Sequence, residues 1–434
     1  MIMKHRLFRQ ALNAAGATAV LAVTTHAQVP VVGDDRPIAA GIDLPIVEPH
    51  LSVNPTSPRQ FVAAAMVARA DGTYGCISLA SGDGGVTWRT HDFKLTDCGD
   101  VWTAFTADGT ALVGLLTGQR SDFRIYSSRD GGASWDSTFT LIGPGHDHSM
   151  IVAQVSRPGH VYAVSANSRR GATGRSRSAV AVARSSDAAV TFPQARQIVT
   201  SNLSYEAHSA ALMDDGTLLV NFADHRRPGD RRRLERSRDW LLVSSDSGAT
   251  FSEPLLIAES CDGSGGWSSI AVSSTRAPTP NRIYHACPTA GFAGIQVRSS
   301  DDKGETWSDA ITLGAKLRVA PYARTPAMAV NANGIVAVAW YDGRSDPSTI
   351  KGSLRCHEMF IALSRDGGAT FPVETKVSSE RSCPSGPRNI ATALRFPSGG
   401  EYFGLAALPD GRFMLLWSDA RSGIYQLRSA VVTP

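Results

Sequence analysis

The chain has 434 residues, of which 42% are hydrophobic and 40 are glycine, and its formal net charge at pH 7 is +4. This small charge, without aromatic residues among the basic ones, argues against a nucleic-acid-binding protein. Length alone would allow two or three domains, but the turn-rich composition suits one all-β unit. After the N-terminal segment, no apolar run is long enough to span a membrane.

Residues 1–27 are typical of a secretory signal peptide. Three basic residues precede an apolar stretch that runs to Val23, and small residues lead up to Ala27. We predict cleavage after Ala27, which leaves residues 28–434 as a single domain in a secreted or periplasmic protein. The alternative is a buried first helix.

A phrase of eight residues, S-x-D-x-G-x-T-W or a close variant, occurs six times at intervals of 47 to 64 residues. A period of this size indicates a repeat architecture. Its Asp accepts backbone hydrogen bonds in a tight turn, and its Gly supplies positive φ. We therefore predict a structural role for the six aspartates, which are Asp83, Asp130, Asp187, Asp246, Asp302 and Asp366.

Three apolar, alternating runs precede each phrase and one follows it, which predicts a four-stranded sheet for each repeat. Sheets arranged radially form a β-propeller. The last segment, residues 401–432, has three such runs and no phrase. We predict an all-β, seven-bladed propeller in which an N-terminal strand near residues 28–47 supplies the missing edge. Six blades remain the alternative.

Six cysteines in an exported protein indicate disulfides. The blade layout favours pairing between neighbours in the sequence, and buried free thiols are the alternative. The pairs expected are Cys76–Cys98, Cys261–Cys287 and Cys356–Cys383.

The loops on the face opposite the repeated phrase are rich in arginine. Residues 224–239 alone hold seven Arg against three Asp and one Glu. Because guanidinium grips a carboxylate or phosphate with two parallel hydrogen bonds, the pattern favours an anionic ligand. Solvated loops with internal ion pairs are the alternative. The arginines are Arg69, Arg120, Arg169, Arg170, Arg175, Arg318, Arg324, Arg344, Arg388 and Arg421.

The repeated phrase resembles the Asp-box, or BNR repeat, of the sialidase-like propellers, over essentially the whole mature chain. Three stretches resemble catalytic segments of that family. YEAHSAALMDDGTLLVN (205–221) puts Glu206 at the catalytic glutamate, and EYFGLAALPDGRFMLLW (401–417) puts Tyr402 at the nucleophile. AAAMVARADGTYGCISLASGDGG (63–85) puts Asp71 at the acid/base position.

The resemblance implies a retaining mechanism. Sialic acid carries a carboxylate on its anomeric carbon, so a neutral tyrosine assisted by a glutamate replaces the usual carboxylate nucleophile. An arginine cluster would hold the substrate carboxylate, and the substrate-binding candidates here are Arg226, Arg324 and Arg388, together with His50 near the position of a further family arginine. The chain departs from the family pattern at His50 and Ala223, where the family has arginines.

The favoured interpretation is a secreted, exo-α-sialidase-like glycoside hydrolase that acts as a monomer on an acidic glycan or glycoconjugate. No cofactor is expected, and a structural Ca²⁺ is left open. One alternative is a non-catalytic propeller that binds anionic glycans or proteins. A second is a polysaccharide lyase that uses Tyr and His on uronates.

A cluster of histidines and carboxylates offers a further alternative. These side chains could hold a divalent metal, Zn²⁺ if tetrahedral, although a hydrogen-bonded loop is the favoured interpretation. The residues are Glu48, His50, His146, Asp147, His148, His208 and His225.

Overall fold

The structure is a computed structural model that describes residues 28–119, 121–170, 176–201, 204–226, 236–262, 267–314, 322–346, 354–385 and 387–434. The predicted signal peptide, residues 1–27, lies outside these ranges. Within them, no helix has both the length and the apolar character needed to cross a membrane.

Seven antiparallel sheets, here called blades, follow one another along the chain. Two short strands come first, β1 (Val31–Val32) and β2 (Arg36–Pro37). Blade 1 comprises β3 (Ile46–Val53), β4 (Phe61–Ala68), β5 (Tyr74–Ser81) and β6 (Arg89–Asp92). Blade 2 comprises β7 (Cys98–Phe105), β8 (Ala111–Thr117), β9 (Asp122–Ser128) and β10 (Thr140–Gly143). Blade 3 comprises β11 (His146–Ala153), β12 (Val161–Arg170), β13 (Ser176–Ser185) and β14 (Arg196–Ser201).

The remaining blades have the same order of strands. Blade 4 comprises β15 (Ser204–Leu212), β16 (Leu218–Arg226), β17 (Arg236–Ser244) and β18 (Leu255–Asp262). Blade 5 comprises β19 (Ser269–Val272), β20 (Ile283–Pro288), β21 (Ile295–Ser300) and β22 (Ile311–Leu313). Blade 6 comprises β23 (Ala323–Val330), β24 (Val336–Asp342), β25 (Glu358–Ser364) and β26 (Glu374–Lys376). Blade 7 comprises β27 (Gly404–Ala407), β28 (Phe413–Asp419) and β29 (Gln426–Thr433).

Helical structure in the described part is confined to short segments. The helix α1 (Pro387–Arg395) and a 3₁₀ turn at Pro397–Gly399 precede blade 7, and a second 3₁₀ turn at Ala290–Phe292 lies in blade 5. The fold is therefore all-β.

The N-terminus closes the ring. Strands β1 and β2 both pair antiparallel with β29, the last strand of the chain, with Val31 opposite Thr433 and Arg36 opposite Ser429. Consecutive innermost strands contact one another around the axis, and β27 contacts β3. The prediction of seven blades closed by an N-terminal strand is confirmed, and the alternative of six blades is wrong.

The core lies between neighbouring blades. All eight residues of β4 are buried, because both faces of blade 1 are covered. Val62 packs toward blade 2 with Val113, whereas Phe61 packs toward blade 7 with Leu416. A strand buried on both faces has a continuous apolar run in place of strict alternation, as FVAAAMVA shows.

The repeated phrase forms the turn between the third and fourth strands of blades 1 to 6. In every copy the Ser hydroxyl donates to the Asp Oδ1, at 2.6–2.9 Å. The hydroxyl four residues after the Asp donates to its Oδ2, at 2.5–2.6 Å. The hydrogen bond from Thr87 holds the pKa of Asp83 well below its usual range. Each carboxylate thus accepts hydrogen bonds within its own turn and stabilises that turn.

Three disulfides join the cysteines that the sequence analysis paired, and no free cysteine is present in the described part. Cys76–Cys98 links blade 1 to blade 2, and Cys261–Cys287 links blade 4 to blade 5. Cys356–Cys383 lies within blade 6. These disulfides are compatible with the exported location predicted from the N-terminal segment.

Candidate functional site

Four of the innermost strands carry the same irregularity where they begin. In β3, β7, β11 and β23, two residues oppose one residue of the second strand. The first bulged residue has positive φ in each case: Glu48 (54°), Asp100 (38°), His148 (52°) and Thr325 (53°). Positive φ in residues other than glycine stores strain and is common at functional sites. Bulges also re-aim side chains, and three of these four surround one cavity.

The cavity has a volume of about 500 Å³ and lies at the end of the axis opposite the repeated turns. Its lining comes from segments that begin the innermost strands and from the loops between second and third strands. Among the described residues its charged groups are mostly acidic: Glu48, Asp97, Asp100, Asp147, Glu206 and Glu401, with His148 and Arg395. We call this space the acidic cavity.

Two of these carboxyl groups hold their protons unusually tightly. Burial raises the pKa of Glu48 well above its ordinary value, and the charges of Asp100 and Glu401 raise it further. The Glu48 carboxyl accepts a hydrogen bond from the Glu401 N–H at 3.4 Å. Burial also raises the pKa of Asp100, to about 6, although the nearby His148 opposes that shift. Both groups therefore favour the neutral, protonated form more than an ordinary carboxyl group does.

His148 is the cationic counterpart of this cluster. Burial disfavours its charged form, but the surrounding carboxylates, with Asp147 first, outweigh burial and raise its pKa. Its Nε2 lies 3.6 Å from Asp147 Oδ1, and its Nδ1 lies 3.9 Å from Glu401 Oε2. The ring stacks on Trp267 with centroids 3.9 Å apart. Glu206 is among the charges that raise its pKa.

Tyr402 and Glu206, which are 196 positions apart in the sequence, come to the same end of the axis. Glu206 lines the acidic cavity, whereas the ring of Tyr402 packs against Trp102 and Trp267. The Tyr402 hydroxyl accepts a hydrogen bond from the Val101 N–H at 2.9 Å. Burial and the charge of Glu48 raise the Tyr402 pKa well above its ordinary value, so this tyrosine holds its proton.

Asp71 and His50 do not contribute to the lining described above. Asp71 is exposed in the turn between β4 and β5, where its carboxylate accepts hydrogen bonds from Thr73. His50 stacks on Trp102 at 3.8 Å and accepts a hydrogen bond from the Thr103 N–H at 3.1 Å. Burial lowers the pKa of His50 to about 3. His50 and Trp102 line a second cavity of about 430 Å³ along the innermost strands, most of whose lining residues are apolar.

The arginines predicted to bind substrate are not part of the described lining of the acidic cavity. Arg324 is buried against the rings of Phe292 and Tyr322, at 5.0 and 5.9 Å from their centroids. Arg226 ends β16 and Arg388 lies in α1, but their side chains lie outside the described part. Among the described residues the lining is thus mostly acidic, whereas the sequence predicted a lining of arginines.

Several other arginines named above serve the fold. Arg344 forms ion pairs with Asp342 and Glu374, and Arg69 donates to the Leu95 carbonyl. These contacts agree with the alternative stated above, in which the arginines of these loops pair within the protein. Arg120, Arg175 and Arg318 lie outside the described residues, as do the side chains of Arg169 and Arg170.

The geometry around His146, Asp147 and His148 bears on the metal alternative. His146 Nδ1 lies 2.6 Å from Ser165 Oγ, as in the hydrogen-bonded loop that the sequence favoured. Among the described residues, these side chains form no group with three ligand atoms within 4.8 Å of one another. The side chain of His225 lies outside the described part.

No role was predicted from the sequence for Asp100, Glu401 or Arg395. A signal for the first two does exist in the sequence. An acidic residue begins the innermost strand in blades 1, 2, 4 and 7, in the tetrapeptides VEPH (47–50), GDVW (99–102), YEAH (205–208) and GEYF (400–403). In a radial fold these positions converge on the axis, so the pattern predicts an acidic ring.

No protein-family model and no curated protein sequence matches the chain. Among solved structures, it is similar to a protein of unknown function from Dyadobacter fermentans, with 14% identity and a TM-score of 0.56 over 93% of this chain and 99% of that one. The Hadza microbial sialidase Hz136 has 15% identity and a TM-score of 0.48 over 89% of this chain, which spans 65% of the sialidase. An α-L-arabinanase from Penicillium chrysogenum complexed with arabinobiose has 13% identity and a TM-score of 0.46, over 77% and 92% of the two chains. At such identities the similarity concerns the fold alone. The chain is a seven-bladed β-propeller with an acidic cavity at its axis.

Proposed function

We propose that the protein is a glycoside hydrolase whose reaction takes place in the acidic cavity, with Asp100 as the general acid. The observation that carries this proposal is the pKa of Asp100, which burial raises to about 6. An acid with a pKa near the working pH is well suited to protonate a leaving oxygen. The cavity volume of about 500 Å³ lies within the range for small-molecule sites, roughly 300–1,000 Å³.

Glycoside hydrolysis commonly needs a second carboxyl group on the other side of the scissile bond. Asp147 and Glu401 raise the pKa of Asp100, and Asp100 in turn raises the pKa of Glu48, so these carboxyl groups belong to the surroundings of the acid. Glu206 lines the same cavity and is not among the groups that set the pKa of Asp100. We assign the second role, as nucleophile or general base, to Glu206.

The net charge of the cavity lining affects which substrates the cavity can bind. Six carboxyl groups face one guanidinium and one imidazole among the described lining residues. Even with Glu48 and Asp100 protonated, four carboxylates remain, and an anionic sugar would be repelled. A neutral glycoside therefore fits this cavity better than the acidic glycan expected from the sequence.

A sialidase mechanism is the second candidate, and one observation favours it. Tyr402 and Glu206 both lie at the end of the axis where the acidic cavity opens, which supports this mechanism. Arg226 and Arg388 would then supply the positive charge for the substrate carboxylate, and Asp71 would be the acid. The raised pKa of Tyr402 works against its activation as a nucleophile, so we rank this mechanism second.

A panel of 4-methylumbelliferyl glycosides separates the candidates. It should contain neutral pentosides and hexosides and an α-sialoside, assayed with the wild type, Asp100→Asn, Glu206→Gln and Tyr402→Phe. Release from a neutral glycoside that Glu206→Gln loses and that Asp100→Asn slows supports our proposal. Release from the sialoside alone, lost in Tyr402→Phe, favours the second candidate. Glycan binding without release refutes both and indicates a non-catalytic propeller, and an ultraviolet-absorbing product from a uronate polymer indicates a lyase.

A further inference from the structure

A second cluster of reactive side chains lies between blades 4 and 5, on strands β17, β18 and β20. It contains Asp239, Cys261, His285 and Cys287, and all four residues are buried. His285 and Cys287 are two positions apart on β20, so their side chains share one face of that strand. Asp239 and Cys261 approach from blade 4, on β17 and β18.

The four side chains converge closely. One ligand atom from each lies within 4.8 Å of all the others, and Asp239 Oδ2 lies 2.9 Å from His285 Nε2. Zn²⁺ takes four ligands in a tetrahedron, with Zn–S near 2.3 Å and Zn–N or Zn–O near 2.0–2.2 Å. Ligand atoms in such a site are about 3 to 4 Å apart. Small movements of these four side chains would therefore give the tetrahedral geometry of a zinc site.

The chemistry of the ligands also selects the metal. Two thiolates, an imidazole and a carboxylate form a set that suits Zn²⁺ better than the hard cations, which prefer oxygen ligands. The neighbouring Gln296 places its side-chain Nε2 3.9 Å from Cys261 Sγ. A donor at that position would stabilise a thiolate and orient it.

We propose that the reduced chain binds one Zn²⁺ at Asp239, Cys261, His285 and Cys287, and that the Cys261–Cys287 disulfide closes this site to metal. In the structure the two sulfurs are bonded to each other, and disulfide sulfur does not replace thiolate as a zinc ligand. A dithiol or phosphine reductant supplies two electrons and converts the disulfide to two thiols. Zinc binding then releases both thiol protons to solvent.

The consequence is a link between blades 4 and 5 in either redox state. When the cysteines are oxidised, the disulfide joins β18 to β20. When they are reduced, the metal joins the same strands and adds β17 through Asp239. The proposal does not depend on the reaction assigned to the acidic cavity, which is lined by other residues.

Zinc content of the full mature chain tests the proposal. Residues 28–434 would be produced in a reducing cytoplasm with zinc supplied, purified with a phosphine reductant, and analysed for metal by mass spectrometry. We expect about one zinc per reduced chain and none after oxidation. Replacement by Co²⁺ should give the thiolate charge-transfer absorption of a tetrahedral site.

Matched cysteine variants provide the controls. Cys261→Ser/Cys287→Ser should lose the zinc, whereas Cys76→Ser/Cys98→Ser and Cys356→Ser/Cys383→Ser should retain it. Asp239→Asn should weaken zinc affinity at least about tenfold, as loss of a ligand requires, while circular dichroism reports retained folding. The proposal is overturned by a folded, reduced wild type without zinc, or by zinc retained in the Cys261→Ser/Cys287→Ser chain. A reduced wild type that does not fold with zinc present also overturns it.

Discussion

Asp100 Oδ2 accepts a hydrogen bond from the backbone N–H of His148, at 2.6 Å. The bond joins the innermost strands of blades 2 and 3, and both residues are bulged and have positive φ. The backbone of blade 3 thus fixes the position of a carboxyl group supplied by blade 2. Burial and the surrounding charges then set its protonation state.

Asp100→Asn should stabilise the protein at neutral pH. The pKa of Asp100 is about 6 in the folded chain against 3.8 ordinarily, so the folded state binds the proton more tightly. This tighter proton binding stabilises the folded state fully below pH 4, and the stabilisation is lost as pH rises through 6. At roughly 1.4 kcal/mol per pKa unit, the free energy of unfolding falls by about 3 kcal/mol over this range. Asparagine does not ionise, so the variant does not show this decrease. Thermal unfolding of both proteins from pH 4 to pH 8 measures the difference.

Two controls make this result specific. Asp34→Asn, at a carboxylate that is 86% exposed, should leave the pH dependence of the wild type unchanged. Equal destabilisation of Asp100→Asn at every pH would show that the carboxyl group is not held in its neutral form.

Tyr402→Phe should destabilise the fold and distinguish the two mechanisms. The substitution removes the acceptor of the Val101 N–H, and an unpaired buried donor costs about 1–3 kcal/mol. If the cavity carboxyl groups carry the reaction, the rate should fall less than about tenfold. Tyr74→Phe, at a partly exposed residue of the same cavity, should change stability by less than about 1 kcal/mol. Complete loss of activity in a folded Tyr402→Phe variant would contradict our ranking.

Arg421→Ala should weaken the closure of the ring. Arg421 is 7% exposed and pairs with Asp35 at 2.7 Å and with Asp419 at 2.8 Å, so it joins the N-terminal segment to blade 7. Removing one partner from a buried ion pair costs about 3–5 kcal/mol, because uncompensated charges stay behind. Thermal melts should show this loss, and limited proteolysis should cleave the variant first near residues 31–37.

Arg412→Ala is the matched control for that experiment. Arg412 pairs with Asp410 at 2.6 Å, but both side chains are about half exposed. Such surface pairs contribute about 0–1 kcal/mol. Equal effects of the two substitutions would show that the pairing of Arg421 does not hold the ring closed.

The blades could be predicted because their signals are local. The contacts that define a repeated turn join Ser300, Asp302 and Thr306, so they can be inferred from eight residues. The blade count followed from the last segment, which lacks an outer strand. Disulfide partners within or next to one repeat followed from the same layout.

The charge of the described cavity lining could not be predicted from loop composition, and the acidic residues at the strand entries indicate it only once the radial fold is known. The charge of a site depends on which side chains reach the axis, and loop composition does not determine that. Arg344 and Arg421 belong to arginine-rich loops, yet each is used by carboxylates of its own surroundings. The pKa of Asp100 depends on burial and on residues from other blades, none of which is near it in sequence.

The most direct test of Asp100 as the general acid is the pH dependence of kcat/KM on a neutral glycoside with an alcohol leaving group. For the wild type, we predict that kcat/KM falls as pH rises above about 6, because the acid loses its proton. For Asp100→Asn, we predict a rate lower by about 10²–10⁴-fold and no such decline. An Asp100→Asn variant that keeps the rate and the pH profile of the wild type would contradict the account, as would a wild type that hydrolyses no neutral glycoside.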